Sequence, residues 1–109
     1  MPRVLKRKAA KRDLIVQWLW YAENPSVELA DRFPAAVDNT LNVLSAQPEI
    51  GVLFFLRNAE LQGMRRFPVA DGFEKILLFY LPLRDGVDLV RVIHGSRDRE
   101  RLFSGKSSR

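Results

Sequence analysis

Residues 64–94 hold three apolar runs separated by two glycine-bearing turns, a pattern that an antiparallel meander accommodates and few other arrangements do. Met64–Val69 ends at Ala70-Asp71-Gly72. Glu74–Pro82, rich in Ile, Leu, Phe and Tyr, ends at Arg84-Asp85-Gly86, and Val87–His94 follows. Asp-Gly turns between apolar runs suit hairpins, because Gly accepts the positive φ that tight connections require. The third run leads into a charged turn, His94-Gly95-Ser96-Arg97-Asp98. Strict alternation along it puts Leu89, Arg91 and Ile93 on one face and Val90, Val92 and His94 on the other.

Upstream the period changes. Arg3–Lys6 has room for a short first strand. From Ala9 to about Glu23 the residues Leu14, Trp18 and Tyr21 or Ala22 recur on one helical face, with Ile15 and Leu19 beside them. Trp20 falls off that stripe and is read as covering the helix edge, with an exposed partner anchor as the alternative. Asn24 and Pro25 suit the cap and first turn of a second helix running to about Ala46. Its buried stripe is Ala30, Phe33, Val37, Leu41 and Leu44, and Pro34 is expected to kink or divide it. Two such helices must bury their stripes on one another and on the sheet. The expected class is α+β: an N-terminal helical hairpin packed on one face of a small antiparallel sheet, in the order β-α-α-β-β-β. Val52–Leu56 reads as an apolar loop or an extra strand. Residues 1–104 are expected to form a single domain in which Leu102 and Phe103 fold back on the sheet, with 105–109 as a flexible tail.

The 109 residues carry 18 Lys and Arg against 13 Asp and Glu, a formal charge of +5, which favours acidic partners such as nucleic acid or an anionic protein. There is no cysteine and only one histidine, His94, so disulfide and thiolate chemistry are excluded and no metal or cofactor is expected. The basic start followed by Leu14–Ala22 fails as a signal peptide, because Gln17 interrupts the apolar part and Glu23-Asn24-Pro25 stands where small residues belong. No run approaches the roughly 18 apolar residues of a membrane span. The expected location is the cytoplasm, with no membrane partner.

Chemistry has few places to reside. An arginine inside an apolar strand is costly to desolvate, so Arg91 lies on an incompletely covered face or in an internal ion pair, with Asp88 or Glu74 the available partners. His94 and Arg97 stand together at a strand end. They form either an acid–base or anion-gripping corner, or a structural one in which Arg97 pairs with Asp98 or Glu100. Arg65 and Arg66 alternate across the first meander strand. With Lys75, Arg91 and Arg97 they would line a basic concavity suited to RNA phosphates or an acidic protein segment, although a solvated charged face is the commoner explanation. No phosphate loop, nucleophile elbow or paired carboxylate is present. Tyr80, deep in an apolar run, is expected in the core.

The succession GMRRFPV, a Gly-punctuated turn, KILLFY and DGVDLVRVIHGSRD resembles the RelE/ParE superfamily of bacterial toxins. The ending of a strand in His-Gly-x-Arg-Asp is similar to the ParE branch. Ala10-x-x-Asp13-Leu14 also fits that branch, whereas Arg7-Lys8 stands where such chains carry Ser-Pro, and Val52–Gln62 is longer and more apolar than expected. The resemblance implies the toxin of a type II toxin–antitoxin module. In its RelE-like form such a toxin cleaves mRNA on the ribosome. Arg65, Lys75, Arg91 and Arg97 would then be the basic residues and His94 the acid–base group, a set left incomplete because no Tyr follows position 80. In its ParE-like form, favoured here, it blocks DNA gyrase by binding alone. Arg65, Arg66, Arg91, His94 and Arg97 are then the expected target- or antitoxin-binding residues. The implied partners are a cognate antitoxin, in a hetero-oligomer, and gyrase, or alternatively the ribosome and mRNA.

Overall fold

A computed structural model of the chain describes residues 2–23 and 27–95. Its elements are β1 (Arg3–Lys6), α1 (Lys8–Glu23), α2 (Val27–Ala46), β2 (Val52–Leu53), a single 3-10 turn (Ala59–Leu61), β3 (Arg65–Pro68), β4 (Ile76–Leu83) and β5 (Gly86–His94). The cap at Asn24-Pro25, the return of Leu102 and Phe103 and the tail 105–109 lie outside the described residues.

The three apolar runs are neighbouring antiparallel strands. Arg65–Pro68 pairs with Tyr80–Leu77, and Ile76–Leu83 pairs with His94–Gly86. Their turns use the expected backbone: Asp71 and Gly72 have φ of 59° and 98°. Two further strands complete a five-stranded sheet in the order β1-β5-β4-β3-β2. β1 joins β5 in parallel, which makes the sheet mixed. That geometry follows from the chain path, since a long helical crossover separates the two strands and a parallel neighbour needs such a crossover. Ion pairs fasten β1 as well: Arg3 to Asp85 at 2.9 Å and Arg7 to Asp88 at 3.0 Å. The ambiguous stretch after α2 divides its roles. Val52–Leu53 is a short edge strand on β3, while Phe54 and Leu56 pack against the sheet.

The helical hairpin covers one sheet face. Ala30, Phe33, Val37, Leu41 and Leu44 of α2 are all buried, against Ile76, Leu78, Tyr80, Val87, Leu89 and Val92, and α1 contributes Ala10, Leu14, Trp18 and Tyr21. Pro34 does not divide α2, which is one helix through that position. Pro34 itself is exposed, while its neighbours Phe33, Ala36 and Val37 are buried. Their packing outweighs the ~3 kcal/mol an interior proline costs.

The opposite face is also covered. Phe79, Val90 and Ile93 pack there with Leu61 and Met64, and with the partly buried Phe54, Leu56, Leu77 and Leu81. The open concave sheet face expected from the sequence is therefore replaced by a second, smaller core roofed by residues 54–64. Phe54, Leu56, Leu61 and Met64 supply the roof, while Phe55 faces outward at 82% exposure.

One detail of β5 overturns the expected alternation. Phe79 pairs with Arg91 and Tyr80 with Leu89, so Val90 is an extra residue in a β-bulge. Beyond a bulge the two faces exchange. Val92 thus joins Leu89 on the helical side, and Ile93 joins Val90 on the other.

Candidate functional site

Arg91 is the residue whose position most depends on that bulge. Its guanidinium reaches α1, where Nε donates to Asp13 Oδ2 at 2.7 Å and Nη2 to Asp13 Oδ1 at 3.0 Å. The backbone N–H of Val92 also donates to Asp13 Oδ2, at 2.8 Å. β1 ends its pairing with β5 at Leu89, so Asp13 takes up a strand N–H that no neighbouring strand reaches. The hydrogen bonds from Arg91 to Asp13 raise the guanidinium above its ordinary range, against the desolvation that burial imposes. The internal ion pair expected for Arg91 exists, but with neither proposed partner. Asp88 is taken by Arg7, and Glu74 accepts from the Gly72 backbone N–H at 3.2 Å.

Arg65 is likewise engaged. Its Nη1 donates to the carbonyls of Glu49 (2.9 Å) and Gly51 (2.7 Å), tying down the loop that leaves α2. Tyr80, its partner across the strands, finishes the same knot: its hydroxyl accepts from Gly51 N–H at 3.0 Å and donates to the Pro48 carbonyl at 2.8 Å. Burial raises the Tyr80 hydroxyl, while the Gly51 hydrogen bond and the Arg65 charge pull it the other way. Tyr80 is in the core, fully buried.

The other basic residues of the sheet are held differently. Arg66, opposite Phe79, points its guanidinium over the Phe54 ring at 5.7 Å on the far side of the sheet from the helices. Such a contact holds the side chain in place while leaving its charge available. Lys75 is exposed at the start of β4, and its carbonyl accepts from Gly95 N–H at 2.7 Å. His94 is half-buried at the end of β5, opposite Ile76. Lys75 and His94 therefore share one end of the sheet. Arg65 and Arg66 stand about 10–15 Å away along the strands, at ~3.3 Å per residue. Arg97 lies outside the described residues.

The four described members of the expected basic concavity are thus held apart: a loop clamp at Arg65, a helix tie at Arg91, a sheet-face cation at Arg66, and Lys75 at the sheet end beside His94. Sequence reasoning missed Asp13 as the partner of Arg91, although an acid set among the buried-stripe residues of α1 was a signal that it had one. No group of three His, Cys, Asp or Glu among the described residues is placed to hold a metal. Among them, too, no helix is long and apolar enough to cross a membrane.

Comparison with known proteins places this geometry in context. The family described as "ParE toxin of type II toxin-antitoxin system, parDE" matches residues 4–99. A solved structure titled "Chromosomal ParDE TA system from P. aeruginosa" superposes with a TM-score of 0.64 at 15% identity, covering 86% of this chain and 96% of that one. At that identity the likeness shows the fold alone. No curated protein matches the sequence.

Proposed function

Because the chain belongs to the ParE toxin family and is the toxin component of a type II toxin–antitoxin system, we propose that it acts by binding DNA gyrase or a related topoisomerase, and that a cognate antitoxin neutralises it. The observation that carries this reading is the engagement of Arg91 by Asp13. Cleaving RNA on the sheet would require a guanidinium turned to phosphate beside an acid–base group. Here that guanidinium is neutralised, Arg65 grips backbone carbonyls, and the Tyr80 hydroxyl is spent inside the core. Binding needs none of these groups free.

Among the described residues, Arg66 and Lys75 are the sheet cations that neither the loop nor the first helix has claimed. On a +5 chain they suit an acidic surface. The antitoxin fits the same logic as an acidic segment that becomes ordered on this basic domain in a hetero-oligomer. Gyrase is a cytoplasmic target, so the toxin would work in the cytoplasm. Titrating the purified protein into a gyrase supercoiling reaction tests the proposal. Supercoiling should fall with toxin concentration and return when equimolar antitoxin is added; supercoiling untouched at saturating toxin would refute it.

A further inference from the structure

α1 turns a continuous apolar stripe to solvent. Ile15, Val16, Leu19 and Trp20 are 61, 59, 48 and 51% exposed, although the helix packs its other side on α2 and β5. On the same outward face, Lys8 and Arg12 are exposed before the stripe and Glu23 is exposed after it, with the exposed Lys11 on its flank. Positions 8, 12, 15, 19 and 23 recur at spacings of three and four, the seam of a helix that packs on another helix.

The charges on this face are arranged against the helix's own field. The first turn of α1 contains no acid, and three cations stand near the positive end of the macrodipole, where they are locally unfavourable. Asp13 does not offset them, since both its oxygens are occupied by Arg91 and Val92. Among the described residues, Lys8, Lys11 and Arg12 form no ion pair.

We propose that a second copy of this chain docks on the stripe, antiparallel, about a two-fold axis between Ile15 and Val16. That register sets Lys8 level with Glu23 of the second copy, Arg12 with Leu19, and Ile15 with Val16. Each cationic helix start then lies beside the carbonyl end and the Glu23 carboxylate of the other helix, which reverses the local penalty. The four apolar residues leave water. The surface is self-complementary, because its cations and its acid occupy opposite ends of one apolar seam, as an isologous interface requires. A heterologous acidic helix would satisfy Lys8, Lys11 and Arg12 but leave Glu23 facing like charge.

One helix pair buries less than the ~800 Å² per partner of a standard interface, so the dimer is weak, with dissociation at about 10–100 µM. This proposal is independent of the toxin's target. Sedimentation velocity on the full purified chain tests it, with circular dichroism confirming that each variant is folded. The native chain should shift from monomer to dimer as concentration rises. Leu19→Glu should remain monomeric. Lys8→Glu and Glu23→Lys should each weaken the dimer about five- to ten-fold through two lost pairs per dimer, and the double exchange should restore it to within about two-fold. A monomer at every concentration would overturn the proposal, as would a dimer indifferent to the charge exchanges. So would a monomer in which Leu19→Glu instead weakens antitoxin binding, since the stripe would then belong to that partner.

Discussion

Asp13 and Arg91, 78 residues apart in sequence, form a two-point contact in which each carboxylate oxygen accepts a guanidinium N–H, at 2.7 and 3.0 Å. One of those oxygens also closes the β5 backbone at Val92. A single carboxylate thus joins the first helix to the last strand of the sheet and withdraws the strand's arginine from chemistry.

Removing that carboxylate leaves a largely covered guanidinium and a strand N–H without partners. Asp13→Ala should lower stability by about 1–3 kcal/mol, read as an earlier urea midpoint. Arg91→Met, which retains the packing of the stem and lets Asp13 keep Val92, should cost less.

The Tyr80 hydroxyl bridges Gly51 N–H and the Pro48 carbonyl from inside the core. Tyr80→Phe strands both backbone groups and should cost about 1–3 kcal/mol. Gly51→Ala should be as damaging or worse. A Cβ there would strike the Tyr80 hydroxyl and lie 2.9 Å from the Arg66 carbonyl, and neither the strand nor the ring can retreat cheaply.

Burial raises the folded-state pKa of Tyr80, and of Tyr21, above the ordinary tyrosine value of about 10. A raised folded pKa means the native state holds its proton where the unfolded chain has lost it, so stability is intact below pH ~10 and declines as pH rises through the folded value. Denaturant titrations across that window should show the decline in the native protein. Tyr80→Phe and Tyr21→Phe should each flatten it.

Lys75 at the sheet end and Arg66 on the sheet face should matter more to binding than to folding. Lys75→Ala or Arg66→Ala should weaken partner binding several-fold and reduce its salt sensitivity while moving the urea midpoint little. Calorimetric titration with the antitoxin at two salt concentrations measures this.

Most of the architecture was legible because local signals agreed. The meander announced itself through apolar runs and Asp-Gly turns, and the stripe of α2 through its spacing. What escaped was non-local. The bulge at Val90 has no residue signature, yet it exchanges the faces of Val92 and Ile93 and so invalidates any reading of β5 by alternation. The cover over the second sheet face was visible only as the unexplained apolarity of Val52–Gln62. The engagement of two of the expected basic residues escaped for a related reason. Sequence shows that Arg65 and Arg91 are cations, but not that backbone carbonyls and a distant helix have already claimed them.

The central claim, binding in place of RNA cleavage, is tested most directly by running two reactions side by side with one preparation of toxin: supercoiling by purified gyrase, and mRNA integrity in a translating extract. Loss of supercoiling with intact mRNA is the expected result. Cleaved mRNA with undisturbed supercoiling would contradict it.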